Sequence, residues 1–309
     1  ECILIDATTN VIKFTSNDME LGIETIVEGE IIEKGKVAIE AKLFSEIVRR
    51  FPDNEVTIST DANYTSLITC EKSKINIAGK SGEDFSFLPI IDKDKMITIS
   101  QFNLKEIINQ TIFSTAPNDN NKMMTGELFE VSDNTLKVVG LDGHRIAIRS
   151  IQLEGRADDV KAVVPGKTLQ EISKLMSTDA ENMVNIYFTN NHILFEFDNT
   201  IVVSRLIEGE YFKINQMLSS DYETKVVINK KEFIGSIDRA NLLITESEKK
   251  PIIINITDGS LEVTVNSSKG KFNEDINIKK EGKDLMIGFN PKFLMDALRV
   301  IDDENVDIY

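Results

Sequence analysis

VAIEAKLFSEIVRRF (37–51), AVVPGKTLQEISKLM (162–176) and MIGFNPKFLMDALRVI (286–301) are three versions of one pattern, an apolar run that leads into an amphipathic helix. Lys42, Lys167 and Lys292 fill the same slot, and both 167 minus 42 and 292 minus 167 equal 125. A period of that length is a whole domain, because solenoid units run roughly 20 to 50 residues. The chain reads as three tandem copies of one domain.

A second basic residue follows seven positions after each of these lysines: Arg49, Lys174 and Arg299. Seven residues are close to two helical turns, so each pair falls on one helix face, about 10 Å apart. Solvated helix faces are often charged. Here only 35 residues are Lys or Arg against 51 Asp or Glu, and six basic residues at six matched slots point to a basic surface with a function.

The copies align beyond that helix. ILIDATTNVIKFTSNDMELGI (3–23), LFEVSDNTLKVVGLDGHRIAI (128–148) and IINITDGSLEVTVNSSKGKF (253–272) each alternate, turn at Asn, Asp or Gly, and alternate again. That is the hairpin signature. An earlier helix is expected over 99–115 and 228–245, where Leu104, Ile107, Ile108 and Ile112, then Phe233, Ile234, Ile237 and Leu242, fall at helical spacing. The first copy begins inside its hairpin and lacks this helix. Strands follow the basic helix in the first two copies.

The order helix, hairpin, helix, strands gives an α+β class: tandem two-helix, mainly antiparallel β domains with the helices on one face. Polar linkers set the boundaries, giving domains at 1–95, 96–218 and 219–309. Three periods would need 375 residues against 309, so the N-terminal part of the first domain and the C-terminal part of the third are expected to be missing.

Composition sets further bounds. No apolar run approaches the roughly 18 residues that span a bilayer, so no membrane role is expected. Cys2 and Cys70 lie in alternating strands without ligand spacing and read as buried free thiols of a cytoplasmic protein. A net charge of −16 argues against a polyanion partner only if the charge is uniform. Local potential decides binding, and a basic inner surface within an acidic exterior fits both facts.

GELFEVSDNTLKVVGLDGHRIAIR, with its DGHR turn at Asp142 to Arg145, resembles the middle domain of the bacterial DNA polymerase III beta subunit, the DNA sliding clamp. The resemblance continues through VVPGKTLQEISKLM and VSRLIEGEYF, then through IGFNPKFLMDALR in the third copy, and so covers nearly the whole chain in order. It implies the DNA clamp fold, in which two three-domain chains join head to tail as a homodimeric ring. Helices line the hole, and double-stranded DNA passes through without being read. The basic stripe agrees, since nonspecific phosphate contact needs Lys and Arg on helices and no base-reading motif. Lys105, Lys230, Lys231 and Arg239 on the earlier helices are expected to add to the same surface.

The resemblance also implies two protein-binding surfaces. Ring closure would use an edge strand of the first domain, here Ile75 and Ile77, and the end of the third domain's first helix, here Leu242 and Leu243. Each of these could equally be ordinary core. A groove would dock short apolar motifs of the DNA polymerase III catalytic subunit, the clamp loader and other clamp-binding proteins. Its wall would be Met124, Gly126, Leu141, Gly143, His144, Arg145, Ile146, Phe212 and Met217, with Asn290 and Phe293 from the third domain. Leu141 and Phe212 depart from the small residue and the proline common in the family.

An enzymatic reading rests only on the DGHR turn and on the acidic runs at Asp302, Asp303 and Glu304 and at Glu246 and Glu248. A general base needs a nucleophile or substrate in reach and an orienting group, and the chain has no hydrolase, P-loop or zinc motif. The acidic runs lack the alternation and glycine of a calcium loop. His144 and His192 both read as turn residues. The expectation is a non-catalytic protein without cofactor or metal.

Overall fold

The computed structural model describes residues 2–155, 157–218, 221–244 and 250–309. Ser219 and Ser220 of the second linker, and Glu246 and Glu248, lie outside them.

In the first copy β1 (Cys2–Asp6), β2 (Ile12–Asn17), β3 (Leu21–Val27) and β4 (Lys36–Glu40) lead into α1 (Ala41–Val48). β5 (Thr57–Thr60), β6 (Thr65–Cys70) and β7 (Ser73–Ser81) follow. The second copy runs β8 (Lys95–Ser100), α2 (Gln101–Asn109), β9 (Gly126–Ser132), β10 (Thr135–Leu141), β11 (Ile146–Gln152) and β12 (Val160–Pro165). It ends with α3 (Gly166–Leu175), β13 (Met183–Phe188), β14 (His192–Phe197) and β15 (Thr200–Arg205). The third copy comprises β16 (Thr224–Asn229), α4 (Lys230–Asn241), β17 (Ile252–Thr257), β18 (Ser260–Ser267), β19 (Gly270–Gly282), β20 (Leu285–Phe289), α5 (Pro291–Arg299) and β21 (Asn305–Ile308).

The basic helices α1, α3 and α5 start at positions 41, 166 and 291, in step with the period. A strand runs straight into each, with its last residue, or Asn290, extended at the N-cap. α5 has both local start signals, Pro291 in its first turn and the Asn290 side chain accepting the Lys292 N–H at 3.0 Å. The expected helix over 99–115 is shorter, and Ile112 falls in a separate 3-10 turn. The β9–β10 turn places Asp133 and Asn134 at φ 49° and 57°, the left-handed pair that a tight hairpin requires.

The chain forms two compact units. The larger holds the first copy and most of the second. Its main sheet runs β5-β6-β7-β4-β1-β2-β3-β15-β14-β13-β8, and the copies join where β3 pairs antiparallel with β15, Val202 opposite Ile23. β9 to β12 form a four-stranded sheet in the order β11-β10-β9-β12. Ile39, Phe44 and Ile47 of β4 and α1 pack with Ile68 and Ile77 in the first core. The smaller unit holds residues 109–114, 141–147 and 210–309. Its sheet, β20-β17-β18-β19-β16-β21, is covered by Phe233, Ile237 and Ala240 of α4 and Met295 and Leu298 of α5. This packing is hydrophobic burial of one helix face on one sheet face.

Several sequence expectations change. β7 is an edge strand only over residues 73–78, because residues 79–81 pair with β4. Gly79 permits the close passage, since a Cβ there would lie 2.7 Å from the Tyr64 carbonyl oxygen. Residues 73–78 pair with β6 alone, and Ile77 points into the first core, with Ile75 packed against it. Cys70 is buried but Cys2 is only half-buried. His192 opens β14 instead of sitting in a turn.

Candidate functional site

Lys42, Lys167 and Lys292 each occupy the second residue of their helix, and all six stripe residues are exposed. A cation there opposes the positive end of the helix dipole, which favours acidic residues. None of α1, α3 or α5 has an acid in its first turn. Arg49 caps α1, Lys174 lies in the last turn of α3 and Arg299 ends α5. Among the described residues Lys42, Arg49, Lys292 and Arg299 form no ion pair, whereas Lys167 pairs with Asp18 at 3.2 Å and Lys174 with Glu171 at 2.9 Å.

Lys105 and Lys230 depart from the expectation of phosphate-facing cations. Both are half-buried. Lys105 Nζ donates to the Met176 carbonyl at 3.3 Å, and Lys230 Nζ donates to the Ile301 carbonyl. Met176 and Ile301 stand one period apart, just past α3 and α5, where helices leave carbonyls unsatisfied and the dipole is negative. Each earlier helix thereby holds the end of its copy's basic helix. Arg239 is exposed but bound to Glu274, which raises its pKa and lowers that of the glutamate through their hydrogen bond. Lys231 is exposed.

The DGHR turn is built around Arg145, in the smaller unit. Asp142 Oδ1 accepts the backbone N–H groups of His144 and Arg145 at 3.0 and 3.1 Å, and Gly143 takes the left-handed φ of 82° that the turn needs. Arg145 Nε then meets Asp142 Oδ2 at 3.0 Å, Nη1 meets Asp296 Oδ2 of α5 at 2.8 Å, and Nη2 donates to the Phe113 carbonyl. Its guanidinium lies 4.5 Å from the Phe293 ring centroid and 5.2 Å from that of Phe113. The His144 ring leans on Phe293 at 5.6 Å. With its side chain only 16% exposed, Arg145 is the fixed post against which His144 and Phe293 are set.

Phe212 packs edge-on to Tyr211, and a 3-10 turn at Ile214–Gln216 presents Met217 and Leu218, each about half exposed. Ile146 is half-buried in this unit, and Asn290 is exposed at the α5 cap. Met124, in the larger unit, is half-buried. Two expected wall residues are buried. Leu141 is only 4% exposed, and Gly126 is buried where a Cβ would meet the Val164 carbonyl oxygen at 2.7 Å. Both lie inside the β-sheet core. Asp296, Phe113 and Leu218 were not singled out in the sequence; Asp296 had only its place four residues after Lys292 to signal it.

Leu242 is 75% exposed at the end of α4, while Leu243 packs against the third copy's core. Among the described residues no group of three or more His, Cys, Asp or Glu is arranged to hold a metal, and no helix is long and apolar enough to cross a membrane.

Family models for the N-terminal, central and C-terminal domains of the DNA polymerase III beta subunit match residues 1–89, 98–213 and 215–309. The beta sliding clamp of Staphylococcus epidermidis is 35% identical over 316 residues, covering 99% of this chain and 84% of the relative. The chain belongs to the DNA polymerase III beta subunit family. A beta sliding clamp of Staphylococcus aureus is 34% identical over the same shares of both chains. The crystal structure of a putative DNA polymerase III beta subunit from Eubacterium rectale superposes with a TM-score of 0.96 at 64% identity, over 100% of this chain and 84% of that one. The Bacillus subtilis DNA polymerase sliding clamp gives 0.94 at 31% identity, over 99% and 83%. This chain has the DNA clamp fold, and its membership of that family makes it a non-catalytic processivity factor.

Proposed function

We propose that two copies of this chain join head to tail into a ring around double-stranded DNA and tether the replicative polymerase to it in the cytoplasm. The observation that carries this reading is the recurrence, at one 125-residue spacing, of an exposed lysine at the second position of α1, α3 and α5, each helix lacking a first-turn acid. A lysine placed against the helix dipole three times costs stability each time. Its return suits a phosphate-lined track: the helix N-terminal N–H groups and the ammonium both favour an anion, and neither reads bases.

The ring is closed by Leu242, which no side chain of its own copy buries, against the unpartnered side of residues 73–78 in a second copy. The backbone of β7 supplies the pairing there, while Ile75 and Ile77 serve the core. The groove formed around Gly143, His144, Arg145, Phe293, Phe212 and Met217 takes short, largely apolar peptides from the polymerase III catalytic subunit, the clamp loader and other motif-bearing partners. Exposed methionine suits a surface that accepts varied sequences.

The test is retention on nicked circular DNA, loaded with a clamp loader, before and after the circle is cut. Retention on the circle and loss from the linear form is expected. Equal retention on both would mean an open DNA-binding protein and would sink the ring.

A further inference from the structure

The three basic helices are not equivalent. Lys42, Arg49, Lys292 and Arg299 form no ion pair among the described residues, while both stripe cations of the middle copy are covered by carboxylates. Asp18, in the β2–β3 turn of the first copy, is fixed in place by that turn. Its Oδ1 accepts the N–H groups of Glu20 and Leu21 at 3.0 and 2.7 Å, leaving Oδ2 at 3.2 Å from Lys167 Nζ. Desolvation raises the Asp18 pKa, but the two backbone donors and Lys167 outweigh it and hold the carboxyl below the ordinary aspartate value.

Glu171 belongs to a recurring slot. One period before and after it stand Glu46 and Asp296. Glu46 turns to Arg50 at 3.2 Å, a residue off the stripe, and Asp296 turns to Arg145 at 2.8 Å. Only in the middle copy does the acid of this slot face a stripe cation, Lys174, at 2.9 Å.

We propose that Asp18 and Glu171 mask the middle copy's part of the DNA track, so that phosphate contact rests on Lys42, Arg49, Lys292 and Arg299. The proposal rests on the reading that the stripe faces the duplex. A phosphate approaching Lys167 or Lys174 must displace a carboxylate or sit beside its negative charge, and so releases fewer counterions per contact. Exposed ion pairs are individually weak, so the mask lowers contact without abolishing it. A ring in which two slack segments interrupt the gripping ones suits a protein that must stay on DNA and still slide.

The experiment measures binding of the chain to a labelled DNA duplex over a series of NaCl concentrations, starting at low ionic strength. Three paired neutralisations are compared: Lys42→Gln with Arg49→Gln, Lys167→Gln with Lys174→Gln, and Lys292→Gln with Arg299→Gln. A fourth variant, Asp18→Asn with Glu171→Gln, removes the mask; Asn keeps the Oδ1 acceptor of the turn, and a thermal melt checks that it folds. Each outer pair is expected to lower the slope of log affinity against log salt by up to about 1.8 per chain, two contacts at roughly 0.9 each, and so by up to about 3.6 for the two-copy ring. The middle pair should change it far less, and the unmasked variant should steepen it. A middle pair that lowers the slope as much as the outer pairs, or an unmasked variant with an unchanged slope, overturns the mask. If no pair alters the slope, the stripe itself does not face DNA, and the earlier reading fails.

Discussion

Arg145 shows how a turn becomes a rigid wall. Its guanidinium satisfies two carboxylates that are only 11% and 22% exposed, and it lies against two aromatic rings. Removing one partner of a mostly buried pair strands the other charge, which costs about 3–5 kcal/mol when fully buried and less as water reaches it. Arg145→Met should therefore destabilise the fold by about 2 kcal/mol or more in urea unfolding. Adding Asp296→Ala should then cost less than it does alone, because the two residues are coupled. Additive losses would refute the coupling. A second cluster predicts a pH effect. The hydrogen bond from Lys93 holds the Glu196 carboxyl below the ordinary glutamate value, with burial opposing it and the Tyr187 hydroxyl assisting. A depressed carboxylate adds stability above its unfolded pKa and loses it as pH falls through the folded value. Glu196→Gln should thus melt below the parent at neutral pH, with the gap closing on acidification through the glutamate range. A gap that persists in acid would assign the effect to packing instead of charge.

Among the elements, the pairing of each earlier helix with the end of a basic helix separates two kinds of lysine. Lys105→Met and Lys230→Met remove the donors to the carbonyls of Met176 and Ile301. Each should lower stability by up to about 1 kcal/mol, the usual worth of a cation at a helix C-terminus. Neither should shift the salt dependence of DNA binding, and a shift would return that lysine to the DNA track. These lysines mark where sequence reading stops. A helix pattern locates Lys105, but nothing local says that its ammonium reaches a carbonyl 71 residues away. The starts of α1, α3 and α5 were legible because hydrophobic period and a fixed interval agree on them. The β9–β10 hairpin was legible because Asp133 and Asn134 favour the backbone they adopt. The β3–β15 pairing that fuses two copies into one sheet was not, since two alternating strands 175 or more residues apart carry no mark of their partner. Nor was the pairing of the end of β7 with β4, where Gly79 passes close to Tyr64.

For the molecule as a whole, a charge of −16 and a DNA track are compatible only if the acids turn away from the stripe cations. The chain meets that condition in the outer copies and relaxes it in the middle one through Asp18 and Glu171. Because such a track holds DNA weakly and screening by salt weakens it further, retention must come from closure of the ring. On the proposed closing surface, closure in turn depends on a small apolar contact at Leu242. Burying one leucine is worth roughly 1.5–3 kcal/mol, and a carboxylate in its place would be desolvated without a partner. Leu242→Asp should therefore convert the dimer to monomer in sedimentation and abolish retention on circular DNA. The melting of the isolated chain should barely move, since an exposed substitution costs within about 0.5 kcal/mol. A variant that stays dimeric would place the interface elsewhere. A variant that turns monomeric yet remains on the circle would separate retention from closure and transfer it to the basic helices themselves.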